Sequence, residues 1–151
     1  MNQKLLEIQY YKQHIRNRTY MSGIDRDKLR VKQTAEVFTP RELVIEMIDK
    51  LEEHDPILFT DPTKTFIDNS CGDGEFLGEI VIRKMERSGC SLEQALSTTY
   101  GVDLMEDNVE ECKKRLIGPN PTEELRKIVD KNIVCHDGLT YDYEFNSTVH
   151  N

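Results

Sequence analysis

Three short apolar runs, each closing on an aspartate, constrain this chain most. They are Thr65-Phe66-Ile67-Asp68, Thr99-Tyr100-Gly101-Val102-Asp103 and Asn132-Ile133-Val134-Cys135-His136-Asp137. Apolar runs of this length between turn signals read as buried strands. Helical patterns separate them. One opens at Glu75 and runs through Phe76, Leu77, Ile80, Val81, Ile82 and Met85; a short one follows, with Ser91 as cap and Gln94 as its box partner. The others cover about Asp107 to Leu116 and Thr122 to Lys131. Strand and helix in alternation predict an α/β fold with parallel strands and helical crossovers.

Upstream, Leu5, Leu6, Ile8, Tyr11 and Ile15 carry a modest amphipathic pattern over residues 3–18. Phe38-Thr39-Pro40-Arg41-Glu42 then resembles a helix start, with Thr39 as cap, Pro40 in the first turn and Glu42 completing a capping box. The helix it opens, to about Glu53, is predicted to bury Leu43, Val44, Met47, Ile48 and Leu51.

The 151 residues suit one domain, and no run of apolar residues is long enough to span a bilayer. The N-terminus lacks the apolar core of a secretory signal. Cys71, Cys90, Cys112 and Cys135 form no C-x-x-C pair, so four reduced thiols in a cytoplasmic protein, and no metal site, are expected. The net charge of −8 is unevenly placed: residues 1–34 carry eight cations against three acids, net +5, leaving −13 for the rest. The chain therefore divides into a basic helical N-terminal arm, residues 1–34, and an acidic body, residues 35–151. The arm suits a polyanion such as nucleic acid, an intramolecular clamp, or a plain solvated helix.

In an open parallel sheet, ligands sit beyond the carboxyl ends of the strands. Asp68, Asp103 and Asp137 are expected to point into one such cleft. Asn69-Ser70-Cys71-Gly72-Asp73-Gly74 is a turn into a helix, and its glycines let backbone approach a ligand. A phosphate binder calls for a lysine or for G-x-G-x-x-G; here the loop holds two acids, Asp73 and Glu75, and no third glycine. Acids suit an ammonium or sulfonium group. An acid after the second strand can accept both hydroxyls of a ribose, and one after the third can accept from an exocyclic amine. These features fit S-adenosylmethionine better than NAD or ATP.

At these residues the chain resembles the class I S-adenosylmethionine-dependent methyltransferases, above all adenine-N6 DNA methyltransferases of the type I modification subunit and Eco57I-like kinds. The resemblance covers about residues 34–139. Glu36-Val37-Phe38-Thr39-Pro40 looks like the F-T-P segment that packs over the methionine end of the cofactor. Asp68-Asn69-Ser70-Cys71-Gly72-Asp73-Gly74-Glu75-Phe76-Leu77 looks like the D-P-A-C-G-S/D-G-x-F-L loop. Gly101-Val102-Asp103-Leu104 looks like the ribose-holding segment, and Cys135-His136-Asp137-Gly138-Leu139 like the segment whose acid meets the adenine amine. The resemblance implies a Rossmann-like fold and cofactor contacts from Phe38, Thr39, Pro40, Asp68, Asn69, Ser70, Cys71, Gly72, Asp73, Gly74, Phe76, Asp103, Leu104, His136, Asp137 and Gly138. By residue type alone, Phe76, His136 and Cys71 read as structural.

The departures are specific. Asn69 stands where the family has proline, and Asp68 and Asp103 lie 35 residues apart, the extra length being the Ser91–Thr98 insertion. The N/D-P-P-Y/F motif that holds the flipped adenine does not occur, so the catalytic residues are unassigned. The chain reads as the cofactor half of the fold: either a DNA adenine-N6-type methyltransferase that takes its acceptor site from elsewhere, or a catalytically silent binding module or subunit. A third reading is an interaction protein with an empty cleft. In this fold the first strand is central, so without a fourth its apolar edge lies bare. The arm, the tail, a homodimer or a partner chain is expected to cover it. Tyr141-Asp142-Tyr143-Glu144-Phe145 reads as a base-stacking segment, an edge strand or a docked tail.

Overall fold

In a computed structural model, which describes residues 2–17 and 39–145, three parallel strands lie in the order β1-β2-β3. They are β1 (Phe66–Asp68), β2 (Thr99–Asp103) and β3 (Ile133–Cys135). Helices α1 (Gln3–Asn17) and α2 (Arg41–His54) precede β1. The crossover to β2 contains α3 (Glu75–Ser88) and α4 (Leu92–Ser97), and that to β3 contains α5 (Glu106–Ile117) and α6 (Glu123–Asn132). The register sets Asp68 beside Gly101 and Asp103 beside Cys135. The expected alternation of strands and helices is thus found, with β3 two residues shorter at its carboxyl end than the apolar run.

Each crossover steps one strand further in the same direction. With crossovers of one hand, that places the helices on one face of the sheet. The buried residues divide accordingly. One cluster joins Ile8, Ile48, Leu77, Leu96, Leu116 and Val129 from the six helices with Ile133 of β3. On the opposite face Val102 and Val134 pack only with Phe145, flanked by Tyr100 and Tyr141. The tail is therefore a docked tail, not an edge strand. Its Phe145 ring lies 4.8 Å from that of Tyr100.

Among the described residues β1 pairs only with β2. The tail covers the sheet's face and leaves the outer edge of β1 unpaired, with Ile67 53% exposed.

The basic arm is part of the body as far as it is described. Ile8, Tyr11 and Ile15 of α1 are buried, and the Tyr11 hydroxyl donates to the Leu116 carbonyl at 2.7 Å. Lys12 pairs with Glu86 at 2.9 Å, Arg16 pairs with Glu79 at 2.8 Å, and Lys4 donates to the Gly89 carbonyl. The clamp reading holds for these three cations. Arg18, Arg26, Lys28, Arg30 and Lys32 lie outside the described residues.

Two expectations for α2 are corrected. The helix starts at Arg41 with Pro40, not Thr39, at the cap, and no side chain caps it. The N–H groups of Leu43 and Val44 both reach the Pro40 carbonyl, at 3.1 Å each. Only Val44 and Ile48 of the apolar stripe are buried; Leu43, Met47 and Leu51 are 47%, 43% and 40% exposed. α2 packs chiefly on α3, and one neighbour covers one column of side chains. The adjacent column, spaced by four residues, faces outward. Arg83 and Arg87 of α3 complete the contact, reaching Asp49 at 2.7 Å and Glu52 at 2.8 and 2.6 Å. The caps farther along agree with expectation: the Ser91 hydroxyl accepts from Gln94 N, and Thr122, where α6 begins, accepts from Leu125 N.

Lys84 joins α3 to the start of β2. It is 3% exposed, and its Nζ donates to Ala95 O at 3.2 Å and to the hydroxyls of Thr98 and Thr99, both at 2.7 Å. No carboxylate offsets its charge, and burial pushes its pKa down to about 7. From there to the ordinary lysine range the unfolded chain holds a proton that the native chain has released, so stability rises with pH. Above the ordinary thiol range Cys71 and Cys135, whose pKa values are raised, act in the opposite sense. The urea midpoint is therefore expected to rise between about pH 6.5 and about pH 8.5. In Lys84→Met that rise is expected to vanish; an unchanged slope would show that the amine keeps its proton.

Candidate functional site

Beyond the carboxyl end of β1 the chain makes a tight turn whose geometry needs its glycines. Asp68 Oδ1 accepts from Ser70 N at 3.0 Å, Cys71 N donates to Val102 O at 2.9 Å, and Gly74 N returns to Cys71 O at 3.0 Å. Gly72 and Gly74 lie in the left-handed region, with φ of 54° and 91°. Gly74 is also the N-terminal cap of α3. A Cβ there would sit 2.9 Å from Cys112 Sγ, so both backbone angle and space exclude a side chain.

Asp103, ending β2, reaches across to this turn. Its Oδ2 accepts from Gly72 N at 2.9 Å; its Oδ1 accepts from Met105 N at 2.9 Å and from Asn108 Nδ2 at 3.2 Å. The carboxylate is thereby oriented across the mouth of the glycine loop. Asp68 is close enough that the Asp103 charge raises its pKa, in addition to the larger effect of burial and against the bond from Ser70 N. These two acids are near enough for their charges to interact. Asp137 differs. It lies two residues past the end of β3, is exposed, and its Oδ1 accepts from Leu139 N at 2.9 Å, within its own turn. None of its bonds reaches Asp68 or Asp103.

The loop after β3 still closes on the loop after β1. A Cβ on Gly138 would stand 2.6 Å from Asn69 O, so the two backbones touch across the end of β2. Cys135 Sγ approaches Leu104 O at 3.4 Å, and His136 stacks on Tyr141 with centroids 4.4 Å apart. Leu104 and Leu139 are left 63% and 93% exposed beside Asp103 and Asp137. No lysine or arginine occurs in residues 68–77, 103–112 or 135–145.

The loop acids Asp73 and Glu75 do not serve the expected role. They are 2% and 6% exposed and turn beneath the loop, toward Arg115 of α5, itself 1% exposed. Arg115 Nε donates to Asp73 O at 2.9 Å and Nη1 to Ile15 O at 2.8 Å. Its guanidinium also lies 3.4 Å from Asp73 Oδ2 and 3.3 Å from Glu75 Oε2. Glu75 takes a further contact from Arg41 Nε at 3.4 Å. Its carboxyl pKa is raised by burial, against the pull of both arginines. The idea that these acids face a ligand cation is corrected: an internal cation neutralises them.

Arg41, next to Pro40, thus contacts the start of α3. Thr39 is half-buried and Pro40 exposed there, while Phe38 lies outside the described residues. Phe76 packs, partly buried, against the helical core, in keeping with its structural reading. Arg115 and Asn108 went unnoticed in the sequence. Arg115 follows Lys113 and Lys114 as the third member of a basic run, which reads as a solvated helix end. The usable signal was elsewhere, in two acids within a tight loop that burial obliges to have a counter-charge.

No protein-family model, no curated protein and no solved structure matches the chain. Among the described residues no helix is long and apolar enough to cross a membrane.

Removing Arg115 leaves two buried carboxylates unneutralised. Arg115→Met is expected to lower stability by about 3 kcal/mol or more in urea unfolding, with Arg115→Lys restoring only part. A loss below about 1 kcal/mol would mean that the acids protonate or reach water at little cost.

Proposed function

We propose that the strand-end cleft holds S-adenosylmethionine and that the chain is the cofactor half of a Rossmann-like methyltransferase, of the adenine-N6 DNA type by resemblance. One observation carries this reading: the Asp103 carboxylate, held by Gly72 N, Met105 N and Asn108 Nδ2, spans the mouth of a glycine turn that ends β1. A carboxylate is an acceptor only, so it selects hydroxyl or amine donors and repels phosphate. The absence of lysine and arginine from all three strand-end segments argues in the same direction. Exposed Leu104 and Leu139 offer apolar surface for a flat ring next to the acids. The residues present thus fit a ligand with ribose hydroxyls, a purine and a positive centre.

In this reading Asp103 holds the ribose and Asp68 lies on the side of the positive centre. Asn69, Ser70 and Gly72 supply the loop backbone, and Thr39 and Pro40 border the methionine end. Asp137, His136, Leu104 and Gly138 border the purine. When bound, the ligand supplies a methyl group on a sulfonium; this chain's residues orient and desolvate it. A second reading, a catalytically silent binding module acting through a partner, is favoured by the missing N/D-P-P-Y/F segment. The unpaired edge of β1 is where a second copy or a partner chain would join.

Calorimetry with S-adenosylmethionine is expected to show binding that Asp103→Ala abolishes, with NAD and ATP silent. Absence of heat from the unsubstituted protein would end both readings. Transfer of a tritiated methyl to DNA, in the presence of the partner if one is found, separates enzyme from binder.

The arm needs a gentler test than deletion, because α1 contributes to the core. Replacing Arg26, Lys28, Arg30 and Lys32 by alanine is expected to weaken DNA binding and to flatten its log–log salt dependence by roughly 0.9 per lost phosphate contact. An unchanged slope would remove nucleic acid from the arm's role.

A further inference from the structure

The free edge of β1 is complementary to itself. Phe66 N donates to Thr98 O at 2.9 Å. Along a strand the residues whose N–H and C=O face a given neighbour alternate. Phe66 and Asp68 therefore bond toward β2, while Thr65 and Ile67 aim their backbone groups outward. Among the described residues no strand takes those groups up. Side chains alternate as well. Phe66 lies on the helical side, stacked on Phe59 with ring centroids 5.1 Å apart. Thr65 and Ile67 are exposed on the tail side, where with Tyr100, Tyr143 and Phe145 they line a cavity of about 370 Å³. Lys64 and Asp68 bracket the edge, one on each side of Phe66 at the same spacing. The Lys64 amine makes no ion pair among the described residues. Asp68 Oδ1 accepts from Ser70 N, and its Oδ2 has no partner among the described residues.

We propose that two copies of this chain join through β1, antiparallel and centred on Phe66, so that their three-stranded sheets become one. A two-fold axis makes such an edge contact antiparallel and self-complementary. This register sets Thr65 of each copy opposite Ile67 of the other. Those are the residues with outward backbone groups, so each pair exchanges both of its N–H···O bonds. Phe66 faces its own counterpart, and Lys64 of each copy faces Asp68 of the second copy. Both of these are pairs without backbone bonds, where opposed side chains lie closest. Centring on Ile67 instead would set Phe66 against Asp68 and Lys64 against Ser70, with no opposite charges. On the tail side, Ile67 of the second copy arrives beside Thr65, at the rim of the cavity. Hydrogen bonds, charge and apolar surface thus agree on one register, and the chain's own sequence supplies the complement.

The interface rests on the β1 edge and not on a ligand. One consequence does rest on the proposed function. Lys64 of the second copy and the positive centre of S-adenosylmethionine draw on the same carboxylate, Asp68, so each is expected to weaken the binding of the other.

The unsubstituted chain is expected to show a monomer–dimer equilibrium in analytical ultracentrifugation. A carbodiimide is expected to join Lys64 to Asp68 in the dimer alone, and mixing light with ¹⁵N-labelled chains identifies the link as intermolecular. Within one chain the two residues are about 13 Å apart along an extended strand, too far for a zero-length link. Lys64→Glu and Asp68→Lys each place like charges opposite one another and are each expected to weaken self-association on the order of tenfold. Mixed together they restore both opposite pairs, and a heterodimer is expected. A chain that stays monomeric at all concentrations, or a dimer cross-linked elsewhere, would overturn the interface. Variants that dimerise as tightly as the unsubstituted chain would overturn the register. A dimer that S-adenosylmethionine binds without weakening would overturn the competition for Asp68. If no S-adenosylmethionine is bound, the functional reading fails while the cross-link map still decides the interface.

Discussion

The Arg115 guanidinium is the contact on which the rest depends. It is buried, yet it bonds the backbone of the glycine loop, the end of α1 and two carboxylates at the start of α3. Such a group is costly to desolvate, and replacing a whole buried network by apolar packing often costs nothing. What the arginine adds here is geometry. A fork of N–H donors fixes the loop from beneath at several points, which a point charge or an apolar side chain cannot do. Asp73 and Glu75 also stand at the amino end of α3, where the helix dipole favours negative charge. Helix, loop and arginine therefore favour one arrangement together.

Much of the fold was legible because the signals were local. The strand at Thr99–Asp103 and the caps at Ser91 and Thr122 follow from short patterns that neighbours do not override. The stripe of α2 was overestimated because periodicity shows which residues share a face, not how wide the covering partner is. In the site, Asp68, Asp103 and the turning glycines were visible from their places after apolar runs. The roles of Asp73 and Glu75 were not, because the direction in which a loop side chain turns depends on a residue some forty positions away. Asp137 resembled the other two acids in sequence, but β3 ends two residues earlier and a local turn uses its carboxylate.

Among the described residues the helices lie on one face of the three-stranded sheet, and the other face has to be covered by something else. The tail meets this need for β2 and β3 by placing Phe145 on Tyr100, Val102 and Val134. Tyr143 and Phe145 both take positive φ, 60° and 49°. For non-glycine residues that conformation is uncommon; burial of the Phe145 ring is an adequate reason to hold it there, while Tyr143 is 37% exposed. Beside β1, Ile67 is 53% exposed and lines a cavity with Tyr143 and Phe145 of the tail.

The glycine loop divides two electrostatic environments. Below it, Arg115 and Arg41 neutralise Asp73 and Glu75. Above it, Asp68 and Asp103 have backbone N–H groups and one amide as hydrogen-bond partners, and no cation among the described residues. Burial, with a smaller addition from the Asp103 charge, raises the pKa of Asp68. In the proposed reading, a positive ligand on the upper side would be favoured by these two carboxylates and a phosphate disfavoured. The turn that separates these two environments is thin because Gly72 and Gly74 carry no side chains.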